Sequence, residues 1–334
     1  MTGGGSDTVG VPAPEACEPT GAVGGDDLER GLDFARAAAA GAVEGIFGPG
    51  SMTWRVDREA SVLLGAGRAL LLQLAHPWVA AAVAEHTRAL GDPLGRFHRT
   101  FGVVFALAFG TVDQAFAAAR ALHRRHGAIR GALPGAEGGF AAASAYAAND
   151  VAALRWVWAT LTETALVAHD LALPPLSGEE RERYYTESRV FAGLFGIPRA
   201  ALPQDWAAFV AYAEAMRRSD TLVVGPAARG VTAAVLSGSG RWWLRAPRWY
   251  LAVTAGMLPP RFRDGFGLPY GGAERRMAER ATNRIRRLYP ALPDRLRYVG
   301  PYQEARARLV GRVPPDTGTR IMNRVWIGRP SLGW

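Results

Sequence analysis

At 334 residues the chain can bury a substantial core as one large or two ordinary domains, and its single cysteine, Cys17, excludes intrachain disulfides, thiolate metal sites and covalent haem attachment through a Cys-x-x-Cys-His motif. Apolar residues make up 49%, yet no run approaches the roughly 20 apolar residues of a membrane span. The net charge of +9 rests on arginine alone, since the chain has no lysine; so complete a bias points to genome composition rather than to a surface built for phosphates.

Residues 1–27 are rich in Gly, Pro, Ala and Thr and carry neither a basic start with an apolar run nor a twin arginine, so they read as a disordered tail on a cytoplasmic protein. Residues 28–43 are Ala-rich and expected to be helical up to the Gly48-Pro49-Gly50 turn. In residues 58–74 the spacing of Val62, Leu63, Ala66, Leu70 and Leu74 predicts a helix, which His76-Pro77 breaks before residues 78–90 resume it.

Residues 92–131 hold two helices with polar groups on surfaces that should be buried. Asp92 is a good N-cap, with Pro93 at the first helical position. Arg96, Arg99 and Thr100 then project from one face within one turn, ahead of a segment that is apolar all round to Phe109. Thr111-Val112-Asp113-Gln114 is a capping box. The stripe Val112, Ala115, Phe116, Ala119, Leu122 continues through His123, His126 and Arg130, which carries two histidines toward the core.

Residues 131–146 read as a Gly/Ala loop and residues 150–172 as a long helix. Ser177-Gly178-Glu179-Glu180 opens a helix to about Phe195, and residues 203–216 and 226–236 are two more. Residues 241–260 are dense in Trp and Arg, which reads as aromatic core with snorkelling rims rather than membrane contact. Arg276, Arg280, Arg284 and Arg287 line one side of a basic helix beside Met277, Ala281, Ile285 and Leu288; a solvated face is favoured there over nucleic acid or anionic lipid. Residues 302–310 form the last short helix. With no alternating β-branched run, the chain is expected to be a single all-α domain of about a dozen helices over residues 28–312, followed by a C-terminal tail at 313–334.

A lone histidine on an apolar face is usually structural, which suits His86, His98 and His169. His123 and His126 together must both find partners once buried. Axial ligation of haem requires one imidazole facing an apolar cavity, the second orienting the first or binding a propionate. Arg96 and Arg99 need an anion near the core, either a carboxylate such as Asp92 or Glu85 or a ligand.

Several ordered motifs resemble the MpaB/latex-clearing oxygenase family. They are Arg68-Ala69-Leu70-Leu71-Leu72-Gln73-Leu74-Ala75-His76-Pro77, Glu85-His86-Thr87, Arg96-Phe97-His98-Arg99-Thr100, His126-Gly127-Ala128-Ile129-Arg130-Gly131, Trp156-Val157-Trp158-Ala159-Thr160-Leu161, and Leu292-Pro293-Asp294-Arg295-Leu296-Arg297. The resemblance implies an all-α fold holding haem b and oxidative cleavage of isoprenoid C=C bonds by O2. His126 then looks like the iron ligand, with Arg96, Arg99 and Thr100 as the distal catalytic group. His123, Arg130, Arg68 and His76 are expected around the cofactor.

Two positions depart from the family pattern. Arg99 stands where the rubber-degrading branch has Lys, and guanidinium has no free lone pair to cap iron. Trp158 stands where the family often has His. The expected function is a haem-dependent oxygenase acting with O2 on an apolar unsaturated small molecule, without nucleic acid and with peripheral membrane contact left open. A haem- or ligand-binding protein without turnover is the first alternative, and a basic scaffold docking on nucleic acid or anionic membrane the second.

Overall fold

The computed structural model describes residues 21–86, 92–238 and 245–333. Among them are sixteen α-helices and one small hairpin, so the fold is all-α as expected. The chain begins with α1 (Gly25–Ala37), α2 (Met52–Asp57), α3 (Val62–Leu74) and α4 (Pro77–His86). Pro77, which cannot donate a backbone hydrogen bond, separates the last two, and the chain bends there by 103°. α5 (Pro93–Phe109) and α6 (Val112–Gly127) follow as a helical hairpin turning at Gly110. The Asp92 carboxylate accepts the Gly95 N–H at 2.9 Å, and Thr111 and Gln114 cap each other's backbone, so both predicted starts are present.

β1 (Arg130–Ala132) pairs antiparallel with β2 (Ala145–Ala147) in the register Gly131↔Tyr146. The long α7 (Val151–Ala172) runs through the interior, and α8 (Gly178–Gly193) starts at the Ser177/Glu180 capping box. Then come α9 (Trp206–Arg218), α10 (Pro226–Leu236), α11 (Arg248–Gly256), α12 (Pro260–Gly265), α13 (Gly272–Leu288), α14 (Asp294–Arg297), α15 (Gly300–Leu309) and α16 (Thr317–Ile327). None of these helices is long and apolar enough to cross a membrane by itself.

Two packings position the rest. α3 lies against α7, and Gly65 permits the approach: a Cβ there would sit 2.5 Å from the Thr164 methyl carbon. α5 is surrounded by α2, α6, α15 and α16, which is why its second half could be apolar all round; Phe105 to Phe109 are buried without exception. The Trp54 indole of α2 donates to the Ala108 carbonyl at 2.9 Å and fixes α2 beside the C-terminal end of α5.

The structure corrects four expectations. Residues 130–132 and 145–147 form a hairpin where a plain loop was expected; three-residue strands are too short to show an alternating pattern. The first helix ends at Ala37, and the following residues turn rather than continue it. The stripe of α6 does not reach Arg130, because the helix stops at Gly127. Residues 313–333 are part of the fold rather than a tail: α16 packs on α5 and α15, burying Trp326, Ile327 and Leu332. At the other end Val23 is already buried, while residues 1–20 with Cys17, and also Thr87 and Trp242–Trp243, lie outside the described residues.

Candidate functional site

α5 presents Arg96, Phe97, Thr100, Phe101, Val104 and Phe105 at helical spacing along one wall of a cavity of 890 Å³. α3 supplies the facing wall through Val62, Leu63, Ala66 and Leu70, and α7 contributes Leu161, Thr162 and Ala165. The walls are overwhelmingly apolar. Leu94, Trp249, Leu288 and Leu292, all exposed, mark the opening together with the exposed Arg245 and Arg284. Apart from these two arginines, the charged residues that touch the cavity are Arg96 and Asp57.

Arg96 lies two residues along α5 from Leu94 at the opening and has no hydrogen-bond or ionic partner among the described residues. Burial, reinforced by the neighbouring Arg99 guanidinium, lowers its pKa. A cation held this way is poised for an anion or for negative charge that develops on a ligand. Thr100 lines the same wall one turn further on. Arg99 turns the other way: its side chain is half exposed and pairs with Asp92 at 3.5 Å, the carboxylate partner considered for it from sequence.

At the end beside α2, Asp57 accepts the Tyr184 hydroxyl at 3.0 Å. Burial, only partly offset by that hydrogen bond, together with the nearby Glu187 charge, raises the Asp57 carboxyl to about 7. Sequence reasoning passed over this residue. It stands alone in a six-residue helix, and nothing in the spacing of its neighbours marks it.

His126 occupies the last turn of α6. At 1.5 Å per residue it lies about 24 Å from the Gly110 turn and Arg96 about 21 Å, so both sit at the same end of the α5–α6 hairpin. The residue is half-buried, yet the protein around the ring holds its imidazole down to about 4. Burial is the main cause, the Arg125 and His123 charges add to it, and a hydrogen bond with Asn149 opposes it. The ring is therefore neutral at pH 7. The expectation that it faces the apolar cavity is not met, because His126 is not among the residues lining it. His123 is its half-buried neighbour, and the Asn149 amide reaches the His123 ring and carbonyl, each at 3.3 Å.

The other residues expected around a cofactor are dispersed. Arg68 is buried and committed to protein partners: it donates to Glu163 at 2.6 Å, to Thr164 and to the Met257 carbonyl, while Arg217 binds the same Glu163. His76 is buried beside Trp78 and Phe140, is held down to about 4 mainly by burial, and leaves Nδ1 without a partner. Arg130 is exposed on β1, where it pairs with Ala147, and its carbonyl meets the His86 ring at 3.0 Å. His98 and His169 likewise have protein partners, Val325 and Asp170. Trp158 is fully buried, donates to the Ser188 carbonyl at 2.9 Å and packs on Tyr185 and Phe209, so it fills core.

The family described as ER-bound oxygenase mpaB/B′/Rubber oxygenase, catalytic domain, matches residues 54–289, more than half of the chain. The chain belongs to this oxygenase family. Neither the comparison with curated proteins nor that with solved structures gives a match. The matched region opens at Trp54 on α2 and closes at Tyr289, and so takes in the cavity walls from α2, α3, α5, α7 and α13. α14, α15 and α16 lie beyond the matched region.

Proposed function

We propose that this protein is a haem-dependent oxygenase acting with O2 on an apolar, unsaturated small molecule of isoprenoid or lipid-like kind. The observation that carries the reading is the large apolar cavity with one unpartnered guanidinium, Arg96, just inside its opening. An exposed apolar rim suits entry of a molecule that avoids water.

The residues at this end of the α5–α6 hairpin are compatible with haem. His126 carries a neutral imidazole, the form that binds a metal, and Asn149 steadies the histidine pair. His123, beside His126 on the same turn, is the candidate to meet a carboxylate of the cofactor. Haem, when bound, supplies the activation of O2 that no side chain here provides. The chain's own contribution is threefold. The walls from α3, α5 and α7 exclude water and hold the substrate chain extended. Arg96 donates hydrogen bonds to negative charge as it develops on oxygen, in the way preorganised donors act. Thr100 offers a hydroxyl one turn away on the same wall. Arg99, turned outward to Asp92, assists only through its charge.

Protein purified with haem available should show a Soret band, and His126→Ala should abolish it. A colourless, iron-free product from such a preparation refutes the proposal. A second reading, an apolar-ligand carrier without turnover, is favoured by the absence of His126 from the cavity wall. Ligand binding without O2 uptake in an oxygen electrode would decide for it.

A further inference from the structure

The cavity has two ends with different chemistry. Arg96 stands two residues along α5 from Leu94 on the exposed rim. Asp57 touches the cavity from α2, and Trp54, one turn earlier in α2, is bonded to Ala108. Ala108 lies twelve residues beyond Arg96, which is about 18 Å along α5. The carboxyl and the guanidinium both touch this apolar passage, and they do not form an ion pair or shift one another's charge.

The hydrogen-bonding capacity of Asp57 is only partly used within the fold. One of its oxygens takes the Tyr184 hydroxyl at 3.0 Å, and the other has no partner among the described residues. Nearby Glu187 is held by the Met52 and Thr53 amides and the Thr53 hydroxyl, at 2.7–3.0 Å, and is not among the residues lining the cavity, so it acts on the site through its negative charge. A carboxyl with spare capacity on an apolar wall is costly to the fold unless a ligand uses it.

We propose that Asp57 and Tyr184 form a head-group subsite that receives the hydroxyl end of an otherwise apolar substrate, whose chain then runs along α5 toward Arg96. This rests on the reading of the cavity as the substrate site. A hydroxyl both donates and accepts, which matches a carboxyl shared with a tyrosine. The raised pKa of Asp57 agrees, since a protonated carboxyl can return a hydrogen bond to the ligand. A carboxylate or phosphate head at Asp57 is repelled by the negative charge of the neighbouring Glu187. An ammonium head must be stripped of water in a passage with apolar walls.

The test is displacement of the fluorescent probe N-phenyl-1-naphthylamine from the purified full chain by farnesol, farnesene, farnesylamine and farnesoate, without turnover. Farnesol should bind about tenfold more tightly than farnesene, the value of one well-made hydrogen bond. Farnesoate, whose carboxylate the Arg96 guanidinium can hold at its own place on the wall, should be the weakest once Arg96 is replaced by Met. Asp57→Leu should remove the advantage of farnesol and leave farnesene unchanged, while Asp57→Asn, which still donates and accepts, should retain most of it. Equal affinity for farnesol and farnesene in the wild type overturns the subsite, as does a preference for the amine, a preference for the acid that persists in Arg96→Met, or a preference for farnesol that survives in Asp57→Leu. In those cases the cavity still binds apolar chains. Displacement by none of the four sinks the substrate cavity along with the subsite.

Discussion

Replacing Arg96 with Met should make the protein more stable and less active. Arg96 is partly enclosed at the cavity wall, has no partner among the described residues, and feels the like charge of Arg99. An unpaired buried ion costs several kcal/mol, and the open cavity relieves part of this, so removing the charge should return roughly 1–2 kcal/mol. Met keeps the long stem and a high helix propensity, so little packing is lost. At roughly 2 °C per kcal/mol for a chain of this size, the melting temperature should rise by about 2–4 °C in differential scanning calorimetry of cofactor-free protein. Oxygenase turnover should fall by about 10²–10³, the usual effect of losing one preorganised donor. Arg99→Met is the internal control: its exposed pair with Asp92 is worth about 0–1 kcal/mol, so the melting temperature should barely move. A clear drop in stability for Arg96→Met would show that the guanidinium has a structural partner, and the argument for a ligand-directed cation would fail.

Two further outcomes follow from the charged interior. Glu163→Ala strands the buried Arg68 beside Arg217 and should cost about 3–5 kcal/mol, read as a lowered urea midpoint. Burial pushes Glu163 up, but Arg68 and Arg217 more than offset it and hold its pKa below 4.5; its contribution is therefore present at neutral pH and lost only as pH falls through that lowered value. For Asp57 the sign reverses. Its folded pKa of about 7 exceeds the ordinary 3.8, so the folded state binds the extra proton, and stability falls as pH rises between those values. The slope should approach about 1.4 kcal/mol per pH unit. Asp57→Asn should flatten that limb and be the more stable protein at pH 8, although Tyr184 and Glu187 still face the site. An unchanged slope in the variant would place the titration elsewhere.

The helices were legible because their signals are local. Asp92, Thr111 and Ser177 cap the helices they were expected to cap, and Pro77 breaks the chain where its ring forbids continuation. Arg96 and Thr100 were also legible, because i and i+4 on a helix share a face whatever that face meets. The fate of each polar group was not legible. Arg99 sits one turn from Arg96 yet pairs outward, and Arg68 shares a motif with His76 but is locked to Glu163, 95 residues away. The projection of the α6 stripe through His126 to Arg130 assumed that the helix continued, and it ends at Gly127.

By itself, the sequence determined that this is an all-α chain, where most helices begin, and which oxygenase family it belongs to. These rest on local backbone preferences and ordered motifs. The tertiary structure alone decided that α2, α3, α5, α7 and α13 enclose one apolar cavity, that Asp57 and Arg96 both touch it without pairing, that His126 lies off its wall, and that α16 completes the core. Those facts depend on which helix faces pack together, and that is settled by burial and close packing among residues far apart in the chain, a cooperative outcome that no single window of residues encodes.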